Sequence, residues 1–302
     1  MRARLRPAMP LRLPLALALT VLGACAGARP AGEVVAVGDL PAAHREVLEA
    51  YGRGGQAWEA KRAEVLADPE LARFLVDNLV VELVRAHEAT GGHDAARALA
   101  ARSRARAELV RLEEVATPVL VELYERSDAV VASLVAETLV DIGRPAAVAA
   151  ASLLDEPDPG TRRRAAVLFQ SLPHAGRAEE RIRAGLLELT EDPVWFVRAE
   201  AGLCLGLRGA RDRETAPARK RLGQLLFDAD PSVAEYAARG LGALGDPQAV
   251  PALIAGLRRA RGEGEVRLVQ ACGAALESLT GAHSGDLAGW EAWWRDHAGA
   301  GK

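Results

Sequence analysis

The second half of the chain repeats a pattern of apolar positions that is typical of helices packed in pairs. One apolar column, with spacings of 30, 36, 36 and 35 residues, consists of Leu139, Phe169, Leu205, Leu241 and Leu276. Four positions earlier stand Val135, Ala165, Ala201, Ala237 and Cys272. Eight positions earlier stand Val131, Thr161, Val197, Val233 and Leu268, and three positions later Ile142, Leu172, Arg208, Leu244 and Leu279. These offsets share one helical face, so the pattern predicts five helices with a buried side.

A further helix is predicted before each of these five. The candidate segments are 117–126, 145–155, 177–190, 213–228 and 247–260. Three Asp-Pro pairs, at Asp158-Pro159, Asp192-Pro193 and Asp230-Pro231, are each expected to start a helix, because Asp caps helices and Pro suits the first turn. A single helix pair cannot bury its own apolar face, so neighbouring pairs must stack.

Two segments of this pattern resemble the HEAT-repeat family. They are DPVWFVRAEAGLCLGLRG (192–209) and DPSVAEYAARGLGALGDPQAVPALIAGL (230–257), and the resemblance covers residues 115–281. It implies an all-α fold: an α-α solenoid, or superhelix, of about five HEAT-like helix pairs. It also implies a binding surface on the concave face, which the second helices of the pairs would line.

Helical segments are predicted on both sides of this solenoid. Residues 41–114 form an N-terminal helical segment, and residues 282–302 form a C-terminal cap. In the cap, Trp290, Trp293 and Trp294 share one helical face. We expect this face to cover the last repeat, as a terminal cap must. The alternative is that the three tryptophans form a hot spot for a partner.

The N-terminus has the features of an export signal. Residues 1–12 are basic, and the apolar stretch from Leu13 to Ala24 is too short to span a bilayer. The sequence Leu22-Gly23-Ala24-Cys25 resembles a bacterial lipobox, which implies cleavage before Cys25 and lipidation of its thiol. Residues 1–24 are then a lipoprotein signal peptide and residues 25–40 a flexible tether. The predicted location is the cell membrane or outer membrane, facing the periplasm; an ordinary secretory signal is the alternative.

Composition indicates the fold class, and net charge limits the kind of partner. Hydrophobic residues make up 50% of the chain and aromatic residues only 4%, which favours packed helices over β-sandwiches. After residue 24 there are 34 basic and 41 acidic residues, so the body carries a net charge of −7. An acidic body argues against nucleic acid as the partner and leaves a protein partner and the membrane.

Four arginines are candidate partner-binding residues. Arg162, Arg163 and Arg164 begin one second helix, and Arg198 occupies a comparable place in the next. We expect them to pair with acidic residues of the following repeat, a modestly stabilising role. The alternative is a basic stripe that meets an acidic partner or lipid headgroups.

The sequence predicts no catalytic, metal or cofactor site. Cys204 and Cys272 fall on core faces of different helices, so we expect small buried side chains; a reactive thiol of a lyase-type enzyme is the alternative. His87 and His93 are six residues apart, which does not fit a zinc helix. We therefore expect a non-enzymatic protein-binding scaffold or adaptor of the envelope, without a small-molecule substrate. Two alternatives stay open: a lyase-type enzyme or enzyme accessory, and a purely structural envelope spacer.

Overall fold

The computed structural model describes residues 18–20, 34–36, 40–91, 94–211 and 215–297. The lipobox with Cys25 and most of the predicted signal peptide and tether lie outside these residues, as does the end of the predicted cap. The chain divides into two compact units, residues 1–116 and 117–302. Within the described residues, we find no helix with the length and apolar character needed to cross a membrane.

The described part of the first unit is helical apart from one short ribbon. Its helices are α1 (Ala42–Arg53), α2 (Gly55–Ala67), α3 (Pro69–Glu88) and α4 (Ala95–Arg111), with a 3-10 turn at Ala89–Gly91; α5 (Glu113–Arg126) begins in this unit and ends in the second. Strands β1 (Ala18–Thr20) and β2 (Val34–Ala36) pair antiparallel, with Leu19 opposite Val35. The sequence pattern did not predict these two strands.

The second unit contains the predicted helix pairs. Its helices are α6 (Ala129–Ile142), α7 (Arg144–Ala149), α8 (Pro159–Ser171), α9 (Glu179–Leu189), α10 (Trp195–Gly209), α11 (Ala216–Leu225), α12 (Pro231–Leu244), α13 (Val250–Glu263), α14 (Val266–Thr280) and α15 (Leu287–His297). Three 3-10 turns are Ala150–Asp155, which extends α7, Gly176–Ala178 and Pro247–Ala249. The order of α5 to α14 along the chain matches the five predicted pairs. Helix α9 packs against α10, α11 against α12, and α13 against α14, while the second helices α8, α10, α12 and α14 pack successively against one another. The all-α solenoid is thereby confirmed.

The predicted apolar columns form the core of this unit. Every residue of the first column, from Leu139 to Leu276, has at most 1% of its surface exposed. The small residues four positions earlier, from Val135 to Cys272, are completely buried. Small side chains at this level let the second helices approach each other closely. In both columns, the positions that the sequence predicts to be buried are the positions at which the helices pack.

The prediction that Asp192-Pro193 starts a helix is wrong. Helix α10 begins at Trp195, and its N-cap residue is Val194. The true repeat is 36 residues, so Val194 rather than Asp192 corresponds to the N-caps Asp158 and Asp230, both of which accept amide hydrogen bonds. Asp192 stands two residues earlier, at the position of Asp228, where a carboxylate serves the stacking of repeats instead.

Glycine allows an unusually close contact between α10 and α12. A methyl group on Gly206 would overlap with the carbonyl group of Gly240, and one on Gly240 would lie 2.9 Å from the carbonyl oxygen of Gly202. The two backbones therefore touch directly at this level. Any larger side chain would push the second helices of the third and fourth pairs apart.

Candidate partner-binding groove

A groove with a volume of about 1010 Å³ lies along the second helices of the second unit. Helices α10, α12 and α14 contribute most of its surface, and Arg163 of α8 closes one end. The lining includes Trp195, Phe196, Glu235, Tyr236, Arg239 and Arg267. These residues lie next to the buried columns of the repeat, on the helix face that neighbouring repeats do not cover. Stacking thus aligns them into one continuous surface.

Aromatic and guanidinium groups alternate along the groove. The ring of Trp195, whose surface is 46% exposed, meets Phe196 edge-on with 5.7 Å between centroids. The Arg163 guanidinium carbon lies 5.9 Å from the centre of the Phe196 ring, and that of Arg239 lies 5.6 Å from the centre of the Tyr236 ring. Such cation–π pairs hold flat apolar faces and positive charge side by side on rigid helices.

The carboxylates of the groove are recessed, and its cations are exposed. The buried carboxylate of Glu200 accepts from Gln170 at 3.0 Å and lies 3.4 Å from Arg163, while Glu235 pairs with Arg239 at 2.7 Å. About half of each of these two arginine side chains remains exposed. Arg267 is exposed and has no ion-pair partner among the described residues. A molecule entering the groove therefore meets positive charge before negative charge.

Two of the four predicted arginines pair with carboxylates of the following repeat. Arg162 donates to the carboxylate of Asp192 at 2.7 Å, and Arg198 donates to that of Asp228 at 2.9 and 2.8 Å. Each arginine also donates to two backbone carbonyls at the start of its own helix. Burial by itself raises the pKa of Asp228, but the hydrogen bonds from Arg198 and the Asp230 amide outweigh burial and lower it. These guanidinium groups are committed to internal contacts.

The other two arginines differ from each other. Arg164 donates to the backbone carbonyls of Ser127 and Glu125, while the Tyr124 hydroxyl donates to the Arg164 carbonyl at 2.7 Å. Of the four predicted arginines, only Arg163 lines the groove. The aromatic residues of the groove were not among the site residues predicted from the sequence. Phe196 and Tyr236 are 40 residues apart, so they do not recur at the 36-residue spacing of the repeat.

The three predicted tryptophans lie away from the groove, on α15. Trp290 is 1% exposed, and α15 packs against α13. Trp293 and Trp294 are half-buried; the Trp293 ring stacks on His297 with 4.3 Å between centroids, and Trp294 lies beside Arg258 and Ile254 in a shallow depression. One tryptophan therefore anchors the terminal helix, and two remain partly accessible.

The cysteines of the second unit are poor nucleophiles. Cys204 and Cys272 are free thiols buried in α10 and α14. Burial raises the pKa of both thiols to about 12, which keeps them protonated near neutral pH. In the part of the chain that the structure describes, no three His, Cys, Asp or Glu side chains come together as metal ligands.

Comparison with known proteins identifies the repeat. Residues 183–272 match the family model described as HEAT repeats. Among solved structures, an engineered protein from a structural genomics consortium shares 18% identity over 67% of this chain and 97% of its own, with a TM-score of 0.41. A designed armadillo repeat protein in complex with the peptide (KR)4 shares 16% identity over 67% of this chain and 98% of its own, with a TM-score of 0.42. Human deoxyhypusine hydroxylase in complex with glycerol shares 20% identity over 81% of this chain and 92% of its own, with a TM-score of 0.34. No curated protein matches the chain.

Proposed function

We propose that this HEAT-repeat protein is a non-enzymatic scaffold or adaptor of the bacterial cell envelope that binds a protein partner in its groove. The observation that carries the proposal is the set of aromatic and arginine side chains that line the groove on the second helices, in which Trp195 is 46% exposed and Phe196 and Tyr236 are half-buried. Trp, Tyr and Arg dominate the energetic hot spots of protein interfaces. Because rigid helices hold these side chains, little conformational entropy is lost when a partner binds.

The groove favours an extended partner segment that carries acidic and apolar side chains. Its aromatic faces suit apolar side chains, and the accessible charges are those of Arg163, Arg239 and Arg267. The carboxylates of Glu200 and Glu235 are already occupied by internal partners. An acidic segment shares Arg163 and Arg239 with these carboxylates, at the half of each arginine side chain that is exposed, and meets Arg267, which has no ion-pair partner among the described residues.

The proposal places the protein on the membrane through a lipid at Cys25. A short apolar stretch followed by Leu22-Gly23-Ala24-Cys25 supports this anchor. Two or more acyl chains on one residue give stable attachment, whereas a single chain gives marginal attachment. The scaffold would then present its groove to partners in the periplasm.

Site-specific photocrosslinking in the native envelope tests this function. A benzophenone amino acid placed at Trp195 lies in the groove; one at Val148, which is 48% exposed on α7, lies outside it. We expect a discrete protein adduct from position 195 that disappears in Tyr236→Ala, and no such adduct from position 148. Identical adduct patterns from both positions, or none from either, would favour the structural spacer.

A further inference from the structure

A second cavity lies inside the first unit, between α1, α3 and α4. Its volume is about 410 Å³. Its walls are mainly apolar and include Leu48, Leu75, Leu79, Val81, Ala98 and Ala101. Small-molecule sites typically have volumes of roughly 300–1,000 Å³, with apolar walls and a few polar groups. The cavity therefore has the size and lining of a ligand site.

Two buried polar atoms in the lining lack partners. Tyr51 is 9% exposed, and its hydroxyl group makes no hydrogen bond of good geometry, although the Arg104 guanidinium is close, 4.9 Å from the ring centre. The Asn78 Oδ1 atom is also unpaired, while its amide nitrogen donates to the Phe74 carbonyl at 2.7 Å. That donation fixes the amide orientation and leaves Oδ1 as an acceptor. Native proteins pair nearly all such atoms with protein groups or with water, so both atoms are available to hydrogen-bond a molecule in the cavity.

The charges around the cavity balance. Three arginines and three acids line it: Arg85, Arg97, Arg104, Glu49, Glu82 and Asp94. Arg104 and Glu82 pair directly at 2.8 Å. Burial, reinforced by the negative charge of Glu82, raises the pKa of Tyr51 to about 12, so its hydroxyl is neutral near pH 7. The cavity thus offers no net charge to attract an ionic ligand.

We propose that this cavity binds an uncharged, largely apolar small molecule that carries one hydrogen-bond donor, such as a hydroxyl or N–H group. The apolar body occupies the space among the leucines and alanines, and the donor reaches Asn78 Oδ1 or the Tyr51 hydroxyl. This site is independent of the groove, since it lies entirely within the first unit. It also departs from the sequence-based expectation that the protein has no small-molecule ligand.

A matched pair of fluorescent probes tests the proposed chemistry. N-phenyl-1-naphthylamine is uncharged and apolar, with one N–H donor, while 8-anilinonaphthalene-1-sulfonate has the same rings plus a sulfonate. The full chain bearing Cys25→Ser is titrated without detergent. We expect saturable binding of the uncharged probe at one site and at least tenfold weaker binding of the sulfonate. Equal affinity for the two probes would overturn the proposal.

Three variants locate the site. Ala101→Trp fills the cavity and is expected to weaken binding at least tenfold, whereas Ala100→Trp, on the exposed side of the same helix, is expected to bind as the parent chain does. Tyr51→Phe removes a hydroxyl that makes no hydrogen bond of good geometry within the protein, so we expect severalfold weaker binding without a lower melting temperature. Unchanged binding in both Ala101→Trp and Tyr51→Phe would place the probe elsewhere and refute this site. If Ala101→Trp fails to fold, probe binding by Tyr51→Phe decides alone: unchanged affinity would refute this site.

Discussion

The Arg208 guanidinium forms a bidentate ion pair with the carboxylate of Glu179 inside the second unit. Its Nε donates to Glu179 Oε1 at 2.7 Å, a second nitrogen donates to Oε2, and both side chains are less than 10% exposed. Its remaining donors reach the backbone carbonyls of Phe169 and Leu172 at 2.9 and 3.0 Å. A buried charge is tolerated here because an opposite charge and three carbonyls surround it, including that of Pro173. The ion pair joins the two helices of the third pair, and the carbonyl contacts tie that pair to the end of α8 in the second pair.

Removing one member of this pair should be far more damaging than removing both. Glu179→Ala leaves the Arg208 charge buried and unpaired, which we expect to cost about 3–5 kcal/mol of unfolding free energy. The double variant Glu179→Leu/Arg208→Met should lose much less, because no uncompensated charge remains. Urea unfolding of both variants measures the difference. Equal losses in the single and double variants would contradict the role of the ion pair.

The same pair predicts how stability depends on pH. Burial alone raises the pKa of Glu179, but hydrogen bonds from Arg208 and the Ala175 amide outweigh burial and lower the pKa below its usual 4.5. A carboxylate with a lowered folded-state pKa stabilises the protein above its unfolded pKa, and this stability is lost as pH falls. We expect the stability difference between the parent chain and Glu179→Gln to be constant near pH 7 and to shrink below about pH 4.5. Melting curves from pH 7 to pH 3 check the trend; a gap that widens on acidification would contradict it.

Two glycine-to-alanine substitutions should change the free energy of unfolding in opposite directions, one at the contact between α10 and α12 and one in an open part of α14. Gly206→Ala forces the backbones of α10 and α12 apart and should cost about 1–3 kcal/mol. Gly273→Ala, within α14, meets no atom within 4 Å and should stabilise the protein by about 0.5–1 kcal/mol through helix propensity. Denaturant unfolding of the two variants gives both values. If Gly206→Ala were as stable as Gly273→Ala, the close approach would not exist.

The tryptophans of α15 should differ in their effects on stability. Trp290 is almost fully buried against the last repeat, so Trp290→Ala should cost about 3–5 kcal/mol. Trp293 is only half-buried and stacks on His297 within its own helix, so Trp293→Ala should cost about 1 kcal/mol or less. Thermal melts of the two variants separate the roles. Equal losses would mean that both rings pack into the core.

Membrane attachment should depend on one cysteine. We expect Cys25→Ser to abolish lipid modification and to move the protein from the membrane fraction into the soluble envelope fraction, because the thioether cannot form. Cys204→Ser is the matched control: it alters a buried thiol and should leave partition unchanged. Detergent partition and mass spectrometry of the mature N-terminus measure both. Persistence of Cys25→Ser in the membrane fraction would rule out this anchor.

The amino-acid sequence determined the five helix pairs and their buried columns. A helical face depends on offsets of three and four residues, and a spacing of 35 or 36 residues from Phe169 onward repeats that face in the later pairs, so Leu205 and Ala201 are recognisable as core without coordinates. The free, buried state of Cys204 follows from the same register.

Only the tertiary structure decided which charged side chains far apart in the chain contact each other. Asp192 reads locally as a helix cap, yet its carboxylate meets Arg162, 30 residues away, because the stacking offset rather than the local motif sets that contact. Likewise, Arg208 interrupts the apolar column of α10, and only the packing of α9 against α10 brings the Glu179 carboxylate to it, 29 residues away in the chain. The groove and the cavity beside Tyr51 arise where packed helices leave surfaces uncovered. That space depends on the relative placement of whole helices, which short-range periodicity does not encode.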